Sequence, residues 1–179
     1  MRRETREVDV EIRFGERMKV ETGDEILDHM IESMLFYMEK KAEVKVNRWD
    51  LRHHLWEDVG IVLGDEMRKS FVDGRKIARF GHCIIPMDDA LVLIAVDISS
   101  RPFLNFDLDF PESEEGFEPT LIKEFLMALS RRLGMTIHVK KLDGMNAHHI
   151  SEATFKGLGK ALSQALMESE RLESTKGDL

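Results

Sequence analysis

"HHLWEDVGIVLG", residues 53–64, returns 95 positions later as "HHISEATFKGLG", residues 148–159. Each copy opens on adjacent histidines, sets a glutamate four residues after the first of them and ends on a glycine. The same shift carries Met34 onto Leu129 and Val44 onto Val139, so the repeat extends well beyond the motif. The chain therefore reads as two related halves.

Each half carries the same run of periodicities. "LDHMIESMLFYMEK" (27–40) and "IKEFLMALSRRLGM" (122–135) place apolar residues every three or four positions and read as amphipathic helices. "AEVKVN" (42–47) and "MTIHVK" (135–140) alternate and read as strands. Residues 55–71 and 150–167 return to helical spacing. Ahead of the first helix, "REVDVEIRF" (6–14) and "RMKVET" (17–22) read as a hairpin turning at Phe14–Gly15. Ahead of the second, "ALVLIAVDIS" (90–99) and "FLNFDLDF" (103–110) are joined by a turn at Ser100–Pro102, with "GHCIIP" (81–86) as a further strand. The expected fold is α/β, an α+β sandwich of two β-β-α-β-α pseudo-repeats. Each is a small sheet with two helices on one face. No low-complexity linker lies near Gly74–Gly81, so residues 1–80 and 81–179 are expected to pack on each other as one unit.

Composition narrows the function. The hydrophobic fraction of 42% supplies a core, and no apolar run approaches the ~18 residues of a membrane span. The N-terminus lacks the apolar stretch of a signal peptide. Cys83 is the only cysteine, which suits a reducing cytoplasm. A net charge of −8 argues against general nucleic-acid binding but leaves room for a local basic pocket.

The histidine pairs point to metal chemistry. Successive helical residues diverge by about 100°, so His53 and His54 suit two different ions rather than one. His53 and Glu57 share a helix face at i, i+4, and His54 and Glu57 stand at i, i+3; His148, His149 and Glu152 repeat the pattern. His29 is a candidate for a further imidazole. Such mixed donors suit Mn, Fe, Zn or Ni; they are too rich in nitrogen for Ca or Mg, and no thiolate set is present. Neutral imidazole is the binding form, so affinity should fall below about pH 6.5. His82 and His138 have no histidine mates under the shift and read as surface or structural residues.

Further short motifs follow in order: "RRETREV" (2–8), "LDHM" (27–30), "RFG" (79–81), "PMDDAL" (86–91), "VDISSRPFLNFD" (96–107), "NAHHISEATFKGLGKAL" (146–162) and "STKG" (174–177). With "HHLWEDVGIVLG" between them, they make the chain resemble the imidazoleglycerol-phosphate dehydratase family over nearly its whole length.

The resemblance implies a manganese-dependent lyase of histidine biosynthesis that converts imidazole-glycerol phosphate to imidazole-acetol phosphate. It implies two Mn²⁺ per active site, with ligands corresponding to His29, His53, His54, Glu57, His148, His149 and Glu152. It also implies a homo-oligomer, a 24-mer built from trimers, with active sites where chains meet. No nucleic-acid or membrane partner is expected. The chain departs from the family at Glu124, the repeat mate of His29, where the family has histidine. A carboxylate is a harder ligand and still suits Mn²⁺, but the equivalence of the two metals does not carry over.

For the phosphate, the resemblance points to Arg79, Arg101 and Lys156, with Ser174 and Lys176 of the tail closing over it. Arginine suits this role because its planar fork makes paired bonds to phosphate oxygens. Composition alone reads that tail as a frayed end. Asp97 is placed near the substrate, and Glu7 is assigned to proton transfer, although alone Glu7 reads as a solvated charge at a strand start. Glu57 and Glu152 are ligands first and candidate catalytic proton relays second. In the implied route the carbon proton gains its acidity from the ring, bound as imidazolate between the metals. Hydroxide then leaves to give a diazafulvene-like intermediate. Two other readings stand beside this one: a catalytically idle metal-binding assembly protein of the same fold, and a dinuclear hydrolase.

Overall fold

The computed structural model of the chain describes residues 1–111, 114 and 116–170. The first half contains β1 (Arg2–Glu4), β2 (Asp9–Phe14), β3 (Lys19–Glu21), α1 (Glu25–Met38), β4 (Ala42–Arg48) and α2 (Arg52–Met67). A π-helical turn, Arg68–Val72, extends α2. The second half contains β5 (Phe80–Met87), β6 (Ala90–Ile98), β7 (Phe103–Asp107), α3 (Pro119–Leu133), β8 (Met135–Asp143) and α4 (Ala147–Ala165). Each half holds the expected β-β-α-β-α unit, preceded by an edge strand, β1 or β5.

The two sheets share one topology, β1-β2-β4-β3 and β5-β6-β8-β7. The expected hairpin at Phe14–Gly15 does not form, because β4 lies between β2 and β3. β4 runs antiparallel to β2 and parallel to β3. The cause is the crossover: a chain that leaves β3 through α1 returns parallel to β3 and takes the place beside β2. β6 and β7 are likewise separated by β8. Local alternation is the same for either pairing, so the sequence pattern could not distinguish them.

Two of the helices carry readable end signals. Asp24 caps α1, its side chain accepting from the N–H groups of Ile26 and Leu27. Pro119 opens α3 and Gly134, at φ 75°, closes it in the left-handed region.

α1 packs on α4 and α2 on α3, while each helix also covers its own sheet. Four helices therefore lie between two sheets, and the halves are joined through them. Gly64 and Gly159, equivalent under the repeat, mark a close approach in each helix pair. A Cβ on Gly64 would meet Arg132 Cβ at 2.7 Å, and one on Gly159 would collide with the Met34 carbonyl. Between the pairs, Trp56, Phe125 and Phe155 meet ring to ring at 5.3–6.5 Å. Burying each such side chain contributes about 1.5–3 kcal/mol. Among the described residues, no helix is long and apolar enough to cross a membrane.

Candidate active site

Asn146 caps α4 by accepting from the His149 N–H at 3.0 Å. The first turn then sets His148 Nε2 3.2 Å from Glu152 Oε2. Packing of α1 on α4 adds His29, whose Nε2 lies 3.6 Å from the same oxygen. One ligand atom from each of the three residues falls within 4.8 Å of the others. Phe117 stacks on His148 at 4.7 Å and holds its plane. Burial pushes the Glu152 carboxyl up, but the Lys156 hydrogen bond and charge, aided by His148 and His29, outweigh it and hold the group below its ordinary value. Lys156 Nζ stands 2.8 Å from Glu152 Oε1.

The start of α2 is built differently. His53 Nε2 lies 3.9 Å from Glu57 Oε2. His54 turns away, and its Nδ1 meets Asp50 Oδ1 at 2.8 Å, with Glu7 Oε2 at 4.0 Å. Glu7, Asp50 and His54 form the second group of clustered ligand atoms. The hydrogen bond that His54 donates to Asp50 raises the His54 pKa against the opposing effect of desolvation. His149 repeats the arrangement from another part of the chain. Its Nδ1 meets Asp89 Oδ1 at 2.6 Å, and its Nε2 lies 3.3 Å from Asp88. Asp89 also accepts from the N–H groups of Met145 and Asn146, at 2.7 and 3.2 Å. Those backbone bonds and His149 hold its carboxyl far below the usual range. Asp89 in turn raises His149.

The donors fit a divalent transition metal. They are imidazole nitrogens and carboxylate oxygens. The one thiol, Cys83, is half-buried and donates to the Gly157 carbonyl at 3.2 Å. Ligands about 2.1 Å from a shared ion stand about 3–4 Å from one another, which is close to the separations around Glu152.

One chain does not gather the whole expected set. Among the described residues, His53, Glu57, Glu124 and His149 belong to neither cluster. Glu124 is half-buried on α3. The expected phosphate residues divide between two places. Lys156 stands beside Glu152, whereas Arg79 binds Asp97 through Nε at 2.6 Å and Nη2 at 3.1 Å. Arg101, exposed, lies 3.8 Å from the same carboxylate. The Arg79 N–H donates to the carbonyl of Ala165, at the far end of α4 from His148. At 1.5 Å per residue, that helix separates the arginine pair from His148 by about 25 Å. Ser174 and Lys176 lie outside the described residues.

Sequence reasoning missed Asp50, Asp89 and Phe117. Asp50 precedes His54 by four residues, a spacing that carries a usable signal. Asp89 sits in the β5–β6 turn, inside the motif "PMDDAL", 60 residues before its histidine, and no local spacing ties it to that residue.

Three comparisons bear on this site. A family model described as imidazoleglycerol-phosphate dehydratase matches residues 22–162. A protein of that name from Pyrococcus furiosus is 52% identical over 179 residues, covering all of both chains. The crystal structure of the P. furiosus protein in complex with (S)-C348 superposes with a TM-score of 0.96 over 100% of both chains. The Staphylococcus aureus structure, 30% identical, gives 0.84 over 94% of this chain and 98% of that one.

Proposed function

The chain belongs to the imidazoleglycerol-phosphate dehydratase family, and from that premise we propose how its residues divide the work. The reaction is the dehydration of imidazole-glycerol phosphate to imidazole-acetol phosphate in histidine biosynthesis, and the enzyme is a carbon–oxygen hydro-lyase.

We infer that each active site is assembled from more than one chain. The observation that carries this reading is the span of α4. His148 and Glu152 stand at its start, and Arg79 with Asp97 and Arg101 lies against its end. About 25 Å is too far for one small substrate to touch both groups of the same chain. The outer face of the second sheet supports the same conclusion. Phe80, Ile84 and Phe103 are all more than half exposed there, and Phe80 and Phe103 lie in one cross-strand row with Asp97 and Thr136. An apolar surface of that kind favours association. We place the arginine pair of one chain over the histidines of another, in a 24-mer built from trimers.

In this reading His29, His53, His54, Glu57, His148, His149 and Glu152 hold two Mn²⁺ ions, with Glu124 at the position of the eighth ligand. The ions, when bound, act as Lewis acids toward the imidazole ring of the substrate and stabilise charge that develops on it. Arg101 and Lys156 grip the phosphate, and Asp97 aims Arg79 at the same group. Ser174 and Lys176 of the tail close over the substrate. Glu7, exposed beside His54, takes and returns protons at the glycerol carbons. Glu57 and Glu152 serve first as ligands. Cys83, unpaired, suits the cytoplasm in which we place the enzyme.

An anomalous-scattering metal map with a bound substrate analogue tests this assignment. Two ions per site with ligands from two chains, and the analogue's phosphate on Arg101, is the expected result. An analogue held by the histidines and the Arg101 of one and the same chain would refute it.

A further inference from the structure

His54 and His149 reach one geometry by unrelated routes. Each presents Nδ1 to an aspartate oxygen, at 2.8 Å from Asp50 and 2.6 Å from Asp89. Asp50 lies four residues ahead of its histidine, just before α2. Asp89 lies in the β5–β6 turn of the same half as His149. The 95-residue shift that relates the histidines carries Asp50 onto Met145, not onto Asp89. A contact inherited with the repeat would sit at equivalent positions. This one was built twice, from different parts of the chain, which marks the Nδ1 acceptor itself as the feature required.

We propose that Asp50 and Asp89 are positioning residues that fix the tautomer and ring orientation of His54 and His149, leaving Nε2 as the metal-binding nitrogen. The inference rests on the reading of these two histidines as metal ligands. A carboxylate only accepts, so Nδ1 must carry the proton, and the lone pair of the neutral ring is then at Nε2. A negative charge behind the ring also makes it a stronger donor to a metal. Both aspartates are themselves held. Asp50 accepts from the Leu51 N–H at 2.6 Å, and Asp89 accepts from Met145 and Asn146. The two bonds from α4's leading segment tie the β5–β6 turn to the start of that helix. Among the described residues neither His53 nor His148 has an aspartate on Nδ1: His148 Nδ1 lies 3.7 Å from Glu114, beyond hydrogen-bond distance, and each ring faces the glutamate one turn on, at 3.9 and 3.2 Å. The two histidines of a pair are thus oriented by different means. The first is set by its helix, the second by an aspartate outside it.

The test is metal release from the assembled holoenzyme to a competing chelator, with bound metal counted by elemental analysis. Asn at either position keeps an oxygen for the backbone N–H groups but loses the charge. Asp50→Asn and Asp89→Asn are each expected to weaken retention of Mn²⁺ about 10-fold or more, with particle size and melting temperature of the holoenzyme held. Asp88→Asn removes a charge from the same turn that faces Nε2, at 3.3 Å, and leaves the Nδ1 partner in place, so a clearly smaller loss is expected. Equal losses from Asp88→Asn and Asp89→Asn would overturn the proposal in favour of general electrostatics. His54→Ala and His149→Ala separate the two readings. If these lose metal and the aspartate variants do not, the positioning role fails while the ligand assignment stands. If they retain all their metal, the ligand assignment itself fails, and the positioning role with it.

Discussion

Arg79 and Asp97 are joined by two parallel hydrogen bonds, Nε to Oδ1 at 2.6 Å and Nη2 to Oδ2 at 3.1 Å, with the guanidinium also lying over the Phe80 ring at 4.7 Å. The fork is held in one orientation, while Arg101, 3.8 Å from the same Oδ2, is exposed. Arg79 is fixed by paired hydrogen bonds, and Arg101 is held only by a longer ion pair.

Asp97→Asn should release that fixed orientation. A charge-assisted bond of this kind is worth about 1.4 kcal/mol or more, a factor of about ten. The expected outcome is a KM for the phosphate substrate raised about tenfold, with kcat little changed. Steady-state kinetics checks it, and an unaltered KM would remove Asp97 from the phosphate grip.

Asp24 joins the first turns of α1 and α2. It caps α1, takes Arg52 Nε at 2.7 Å and accepts the Trp56 indole N–H at 3.1 Å. Burial works against its charge, but the bonds from Arg52, Trp56 and the Leu27 N–H together hold its pKa below the ordinary 3.8. A carboxyl depressed on folding stabilises the protein above its unfolded value and loses that contribution as pH falls through the folded one. Asp24→Asn should therefore cost about 2 kcal/mol near neutral pH, lowering the melting temperature by roughly 4–8 °C. Below about pH 4 the gap to the parent should narrow. Thermal scans across pH 2–7, about the range in which carboxylates titrate, decide the matter, since a gap that stays constant would mean Asp24 acts by shape alone.

Glu124→His restores an imidazole at the repeat mate of His29. If that position ligates a metal, the variant keeps both ions and holds the second at least as tightly, as read by elemental analysis after graded chelation. Loss of all metal would assign Glu124 some other task.

How much of this was legible in the sequence follows from the range of each interaction. The repeat, the helices and the central strands were readable because 3.6- and 2-residue periods are local. The i, i+4 pair His148–Glu152 was readable for the same reason. The placement of β4 between β2 and β3 was not, because strand alternation is blind to the identity of the partner strand. Asp89 was hidden by 60 residues of intervening chain, and an Asp-Asp turn between strands resembles any polar turn. The distance from Arg79 to His148 was hidden too. The motifs give the order of the residues, and only the length of α4 shows that they stand at opposite ends of one chain.

The central claim is that arginines of one chain serve the metal ligands of another, and co-assembly of two defective chains tests it most directly. Arg101→Ala lacks the exposed phosphate contact, and Glu152→Gln lacks a ligand; each alone should form an assembly with little activity. Co-expressed under separate tags and purified through both, mixed particles should regain a measurable share of dehydratase activity, because some sites combine an intact Arg101 with an intact Glu152. Mixed particles no more active than the parent variants would contradict the account and return every site to a single chain.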